Sequence, residues 1–269
     1  MSLRIQNNVE AFNAQRQLSG NSEKLGKAME KLSSGYRINR GADDAAGLAI
    51  SEKLRGQIGG LAQASRNAAD AVSLVQTAEG ALNEVHSMLQ RVRELAVQYK
   101  NGTLATNDRL AIQSEVNQLK DEIQRIGTDT EFNGIKLLDS AATVCFQVGA
   151  GDGQQITVAT VSVGAQVAAG VFALSSVSSQ TDIQAIDDAI NNVSAARATF
   201  GSVQNRLDHT MSNLASYTEN LTASESRIRD ADMASEMVNF TKLQILQQAG
   251  TSMLSQANQA PQGVLSLLR

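Results

Sequence analysis

The sequence contains very few aromatic residues and almost no proline. Among its 269 residues there is no Trp, the aromatic fraction is 3%, and the single proline is Pro261. A globular enzyme of this length would normally bury more aromatic area in its core. Because proline ends or kinks a helix, its near absence allows helices to run long. The composition therefore favours a mainly helical protein that packs through aliphatic side chains, and it argues against an enzyme.

Residue types that carry chemistry are equally scarce. The lone Cys145 cannot form an internal disulfide, and its place between Val144 and Phe146 predicts a small buried strand residue. Neither His86 nor His209 lies in a metal-ligand spacing. We therefore expect no catalytic residue, no cofactor and no metal site.

The charge pattern gives no sign of a nucleic-acid or membrane partner. A net charge of −4 supplies no electrostatic attraction to nucleic acid. Residues 1–20 lack the apolar run of a cleaved secretory signal. Residues 243–268 carry no charge, but Gln, Asn, Ser and Thr recur throughout, so this stretch is predicted to be an amphipathic helix rather than a membrane span.

Apolar residues recur at every seventh position in two distant parts of the chain. A strict heptad keeps one face of a helix toward a partner helix, as in a supercoiled pair. Two such ladders separated by a long excursion predict a chain that runs out and returns as a long antiparallel helical bundle or coiled-coil rod. The ladders are Leu54, Leu61, Ala68, Val75, Leu82, Leu89 and Ala96, and Ile186, Val193, Phe200, Leu207, Leu214, Leu221 and Ile228.

Between the ladders the pattern changes from helical periodicity to alternation. Val144, Phe146 and Val148 alternate, and Asp152-Gly153 is a turn signal, so a small β-hairpin region is predicted at about 130–180. Both ends of the chain are again helical, and each has an apolar seam. The seam residues are Ile5, Val9, Phe12, Leu25, Leu32, Leu246, Met253, Ala257, Val264 and Leu267.

Strings near both ends closely resemble the signatures of bacterial flagellins. At the amino-terminal side these are residues 32–39 (Leu-Ser-Ser-Gly-Tyr-Arg-Ile-Asn) and 43–51, with Tyr36 where Leu is commoner. At the other side they are residues 229–232 (Arg-Asp-Ala-Asp), 244–252 and the ending 256–269. The resemblance covers nearly everything except about 164–180, the region in which larger members of the family carry outer variable domains.

The resemblance implies a structural subunit of the extracellular flagellar filament that assembles with copies of itself. It implies that residues 1–42 and 230–269 form a separate inner layer lining the filament channel, and that residues 43–229 form the surrounding helical layer. It also implies secretion without a cleaved signal, through the flagellar export apparatus with a flagellin chaperone. Hook–filament junction and filament cap proteins are the further expected partners.

Three finer expectations accompany the resemblance. Positions matching Arg91, Leu95 and Glu115 contact the innate receptor Toll-like receptor 5 in similar flagellins. Exposed Ser and Thr near the outer surface are expected glycan carriers, above all Ser175, Ser176, Ser178 and Ser179. A hook–filament junction protein is the alternative reading, which the flagellin-type ending 256–269 disfavours. An enzymatic flagellin would need a His-Glu-x-x-His insertion that this sequence lacks.

Overall fold

A computed structural model describes residues 8–167, 169–174 and 181–267 of the chain. Long helices dominate it, with two small antiparallel sheets between them, so the predicted mainly helical fold is confirmed. In chain order the elements are α1 (Val9–Ser34), α2 (Ala45–Tyr99), α3 (Thr106–Asp129), β1 (Glu131–Phe132), β2 (Ile135–Lys136), β3 (Thr143–Gln147), β4 (Gln155–Ala159), α4 (Val163–Gln166), a 3-10 turn (Ala169–Phe172), α5 (Thr181–Arg229) and α6 (Met233–Leu267).

Polar side chains and one glycine set the ends of the helices. The Asn8 side chain accepts a hydrogen bond from the Ala11 N–H at the start of α1, and Gly35 ends this helix with a φ of 77° that favours glycine. Asp44 Oδ1 accepts from the Gly47 N–H at 2.9 Å and so caps the start of α2. Asp232 caps α6 in the same way.

The described chain divides into two compact units. The first, here called the core unit, is Gln57–Glu219. The second, here called the terminal unit, comprises the described residues of Met1–Gly56 and Asn220–Arg269. Both boundaries fall inside long helices, α2 and α5.

In the core unit the two heptad ladders form the centre of the packing. Each ladder member within this unit is buried. Apolar residues of α3 and of the β-hairpin region pack in the same interior. Removing such side chains from water stabilises the fold by about 1.5–3 kcal/mol for each large one. The buried members are Leu61, Ala68, Val75, Leu82, Leu89, Ala96, Ile186, Val193, Phe200, Leu207 and Leu214.

Ion pairs between α2 and α5 give the direction of the two helices in the core unit. Arg93 Nε lies 2.6 Å from Asp187 Oδ1, and Arg197 Nη2 lies 3.7 Å from Glu79 Oε1. The residue number rises along α5 while it falls along α2. The helices are therefore antiparallel, which agrees with the prediction of a chain that runs out and returns.

The predicted β-hairpin is β3 and β4, with Thr143 opposite Ala159 and Gln147 opposite Gln155. The prediction that Cys145 is buried is wrong, because this residue is exposed. Successive strand residues point to opposite faces, and Val144 and Phe146 occupy the inward face on either side of the cysteine.

Candidate assembly interface

The terminal unit pairs α1 with α6 but leaves much of their apolar surface uncovered. A Cβ at Gly250 would lie 3.2 Å from Leu18 Cδ1, so the missing side chain lets the two helices approach closely. At the helix ends Asn8 Nδ2 donates to the Ala257 carbonyl at 2.8 Å. Phe12 is nevertheless 61% exposed and Met253 64% exposed.

The predicted seam residues fall into three groups. Val9, Phe12, Leu246 and Met253 are exposed, so they are available to another molecule. Leu25, Leu32 and Ala257 are partly buried within the unit. Ile5 and the side chains of Val264 and Leu267 lie outside the described residues.

An apolar ridge runs along α6, and here the ridge denotes Met237, Val238, Ile245 and Leu246. Val238 is 69% exposed and Ile245 60% exposed. Thr241 and Lys242 lie among these residues on the same part of the α6 surface. Contiguous exposed apolar surface of this kind marks an interaction site. The predicted seam includes Leu246 but not the other three ridge residues.

A groove lies between α1 and α6. Its lining residues differ from those of the ridge except for Leu246, which belongs to both. Its volume is about 660 Å³. Small side chains line it, including Ala14, Ala249 and Gly250, with polar residues of α1 along one edge. Leu246 belongs to the ridge and also borders the groove, so the two surfaces are adjacent.

Backbone hydrogen bonds join the two connections of the terminal unit, residues 35–44 and 230–232. The Arg37 N–H donates to the Arg229 carbonyl at 2.6 Å, and the Ala231 N–H donates to the Gly35 carbonyl at 2.9 Å. Between them Tyr36 and Asp230 form a single antiparallel bridge. The connections before α2 and before α6 therefore hold each other in place.

The Arg229 side chain reinforces this junction. Its guanidinium lies 4.8 Å from the centre of the Tyr36 ring, a cation–π distance, and Nη1 lies 2.6 Å from Glu52 Oε1. The hydrogen bond from Arg229 is the largest cause that lowers the pKa of Glu52. Leu in place of Tyr36 could not make the ring contact. The sequence shows Tyr36 where Leu is commoner, but it gives no signal for Glu52, because a sequence pattern does not pair positions so far apart.

Two of the predicted receptor residues meet on the surface of the core unit. Arg91 of α2 donates to Glu115 Oε1 of α3 through Nε at 3.1 Å and through Nη2 at 2.9 Å. Nη1 of the same guanidinium lies 3.1 Å from Glu94 Oε2. The Glu115 contact is the main cause that raises the pKa of Arg91. Both side chains are about half exposed, so the ion pair lies at the surface of the core unit.

The structure gives Leu95 a different position from the one that the receptor interpretation requires. Leu95 is only 2% exposed and packs in the same core as Leu89 and Val92. Arg91 precedes Leu95 by one helical turn and lies on a neighbouring part of the helix surface. Arg91 is nevertheless half exposed, so Leu95 is buried because apolar side chains cover it. The expectation that Leu95 contacts a receptor directly is therefore corrected: in the folded chain this side chain has a packing role.

The remaining predicted features are quickly placed. Ser175, Ser176, Ser178 and Ser179, the predicted glycan carriers, lie outside the described residues. Within the described ranges no group of three or more His, Cys, Asp and Glu side chains could hold a metal ion. No helix within these described ranges is long and apolar enough to cross a membrane.

Comparison with known proteins identifies the relatives of this chain. Residues 5–143 match the family described as "Bacterial flagellin N-terminal helical region", and residues 183–268 match "Bacterial flagellin C-terminal helical region". A flagellin of Halalkalibacterium halodurans is 53% identical over 98% of this chain and 99% of its own length.

Two solved structures resemble the fold. The Bacillus cereus flagellin structure is 35% identical, with a TM-score of 0.52 over 60% of this chain and 94% of that chain. A putative flagellar hook-associated protein of Vibrio parahaemolyticus has a TM-score of 0.61 over 70% of this chain and 100% of that chain. Its identity is 17%, so this second likeness concerns the fold alone.

Proposed function

Because this chain belongs to the bacterial flagellin family, a family of structural subunits of the flagellar filament, we propose that it polymerises through the apolar surfaces of its terminal unit. The observation that carries the proposal is the exposure of large apolar side chains on both paired helices, α1 and α6. Helices with uncovered apolar faces gain stability when another surface buries those faces. A second copy of the same chain supplies such a surface.

The ridge and the groove favour an open polymer over a closed dimer. When one surface of a molecule binds a different surface of the next copy, the contact is heterologous, and it continues as a helix unless the rotation closes a ring. The ridge on α6 and the groove between α1 and α6 are two such surfaces. In this proposal residues 1–42 and 230–269 line the filament channel, and residues 43–229 surround them.

Export and capping partners complete the proposed function. We propose that the chain leaves the cell without a cleaved signal, through the flagellar export apparatus, after binding a flagellin chaperone. In the filament it would contact the hook–filament junction and cap proteins at the two ends. A junction protein remains the alternative function, and the fold likeness to the hook-associated protein does not favour it over the close flagellin relatives.

Negative-stain microscopy of the purified full chain in polymerising salt tests self-assembly. We expect long filaments of uniform diameter that elongate from added seeds. A chain that binds only to filament ends and never elongates would support the junction alternative. A chain that stays monomeric in the presence of seeds would contradict the proposal.

We also propose that Toll-like receptor 5 recognises the charged surface at Arg91 and Glu115. The support is the resemblance together with the exposure of both side chains and their two hydrogen bonds. These bonds hold the guanidinium against α3, so less side-chain entropy is lost when a receptor binds it.

The receptor proposal predicts a large effect of Arg91→Ala and a small effect of Arg93→Ala. Truncation of a central interface arginine costs about 2 kcal/mol, which corresponds to about 30-fold weaker signalling by the monomer in a reporter-cell dose response. Arg93 is the matched control, because it is equally exposed and forms its own ion pair with Asp187 on α5. Equal dose responses for the two variants would remove Arg91 from the receptor site.

A further inference from the structure

The chain contains two Asn-Gly dipeptides, Asn101-Gly102 and Asn133-Gly134, and both are exposed. Glycine lacks a side chain that would hinder its backbone nitrogen, so this nitrogen can attack the side-chain amide of the preceding asparagine. We propose that Asn101 is a site of spontaneous deamidation through a succinimide and that the fold protects Asn133 from the same reaction. The reaction needs no bound ligand, and water is its only co-reactant.

The connection between α2 and α3 holds Asn101 in a geometry that favours the reaction. Asn101 Oδ1 accepts a hydrogen bond from the Thr103 N–H at 3.3 Å, which closes an Asx turn around Gly102 and polarises the side-chain carbonyl. Among the described residues no acceptor is found for the Gly102 N–H. No described residue therefore engages the attacking nitrogen, and the Asx turn limits the rotation of the side chain that it attacks.

The chemistry balances in two steps. The Gly102 nitrogen loses its proton to solvent base and bonds to Asn101 Cγ, and the side-chain nitrogen leaves as ammonia after taking up a proton. Water then opens the five-membered ring at either carbonyl. Opening at one carbonyl yields aspartate, and opening at the other yields isoaspartate, in which the main chain runs through the former side chain.

Asn133 has the same neighbour but a constrained backbone. Asn133 and Gly134 have φ values of 51° and 78° in the two-residue turn between β1 and β2. Ring closure requires the peptide after Asn133 to rotate. The paired strands on both sides oppose this rotation, and the ion pair between Lys136 Nζ and Glu131 Oε2, at 2.8 Å, closes the hairpin further.

Deamidation at Asn101 changes the connection that it lies in. The Asn101 backbone carbonyl accepts hydrogen bonds from the Leu104 N–H and from Arg109 Nη2, both at 3.4 Å. In the isoaspartate product this acceptor becomes a free carboxylate, and the backbone to Gly102 gains a methylene group. A carboxylate next to the carboxyl end of α2 also opposes the helix dipole. The modified chain therefore carries one more negative charge at a structurally altered α2–α3 connection.

Peptide mapping by mass spectrometry tests the proposal on the full native chain, incubated in mildly alkaline buffer. We expect conversion at Asn101 about tenfold faster than at Asn133, with isoaspartate in excess over aspartate. In denaturant the two sites should convert at similar rates, because the protection of Asn133 depends on the folded hairpin. The variant Gly102→Ala should slow conversion at Asn101 about tenfold and leave Asn133 unchanged.

The variant is suited to this purpose because a Cβ at Gly102 meets no atom within 4 Å and the residue has no positive φ. Circular dichroism of the variant checks that its fold is intact. Equal native rates at the two sites, or faster conversion at Asn133, would overturn the proposal. A product that contains aspartate without isoaspartate would also overturn it, because it would indicate direct hydrolysis without the ring.

Discussion

Removal of residues 256–269 is expected to abolish filament elongation while the core unit keeps its fold. The deletion removes the Ala257 carbonyl that accepts from Asn8, and with it the end of the groove between α1 and α6. The core unit packs around its own heptad ladders and α3, so its fold does not depend on residues 256–269. Seeded elongation by light scattering and helix content by circular dichroism measure the two outcomes separately.

A pair of point variants distinguishes loss of an interface from a general defect of α6. Met253→Asp places a charge on an exposed apolar residue that borders the groove, whereas Ser255→Asp places the same charge on a nearby exposed polar residue. We expect the first variant to stop elongation and the second to elongate. Normal filaments from the truncated chain or from Met253→Asp would show that this end of α6 takes no part in assembly.

Leu207→Ala is expected to lower the free energy of unfolding of the core unit by about 3 kcal/mol. Leu207 is fully buried on α5, so truncation loses the transfer free energy of the removed atoms and leaves a cavity among close-packed neighbours. Urea unfolding followed by far-UV circular dichroism gives the difference. The fit must use a separate transition for each unit, because the chain has two.

Leu221→Ala is the matched control for that variant. Leu221 lies on the same helix and on the same heptad ladder, two repeats further along, but it is only partly buried. Its truncation should therefore cost less than about 1 kcal/mol in either transition. Equal losses in the free energy of unfolding would show that the loss depends on the position in the ladder and not on burial.

Local periodicity made a large part of the fold predictable. The turn at Asp152-Gly153 follows from a short-range pattern, and the antiparallel return of α5 follows from the two heptad ladders. The assembly surface was predicted less completely: Phe12 and Met253 are exposed as the seam interpretation requires, whereas Val238 and Ile245 of the ridge were missed. These two residues escape a strict seam because the exposed face of α6 is broader than one line of positions.

The sequence by itself determined where helices and strands form, because those patterns depend on residues within a few positions of one another. Only the tertiary structure decided which equivalent positions are buried. It separates Leu207 from Leu221 and Leu95 from Arg91, because burial depends on the segment that covers each side chain. The contact of Arg229 with Tyr36 and Glu52 has the same origin. Residues so distant in the chain come into contact only when the whole terminal unit folds, and no repeat in the sequence predicts that contact.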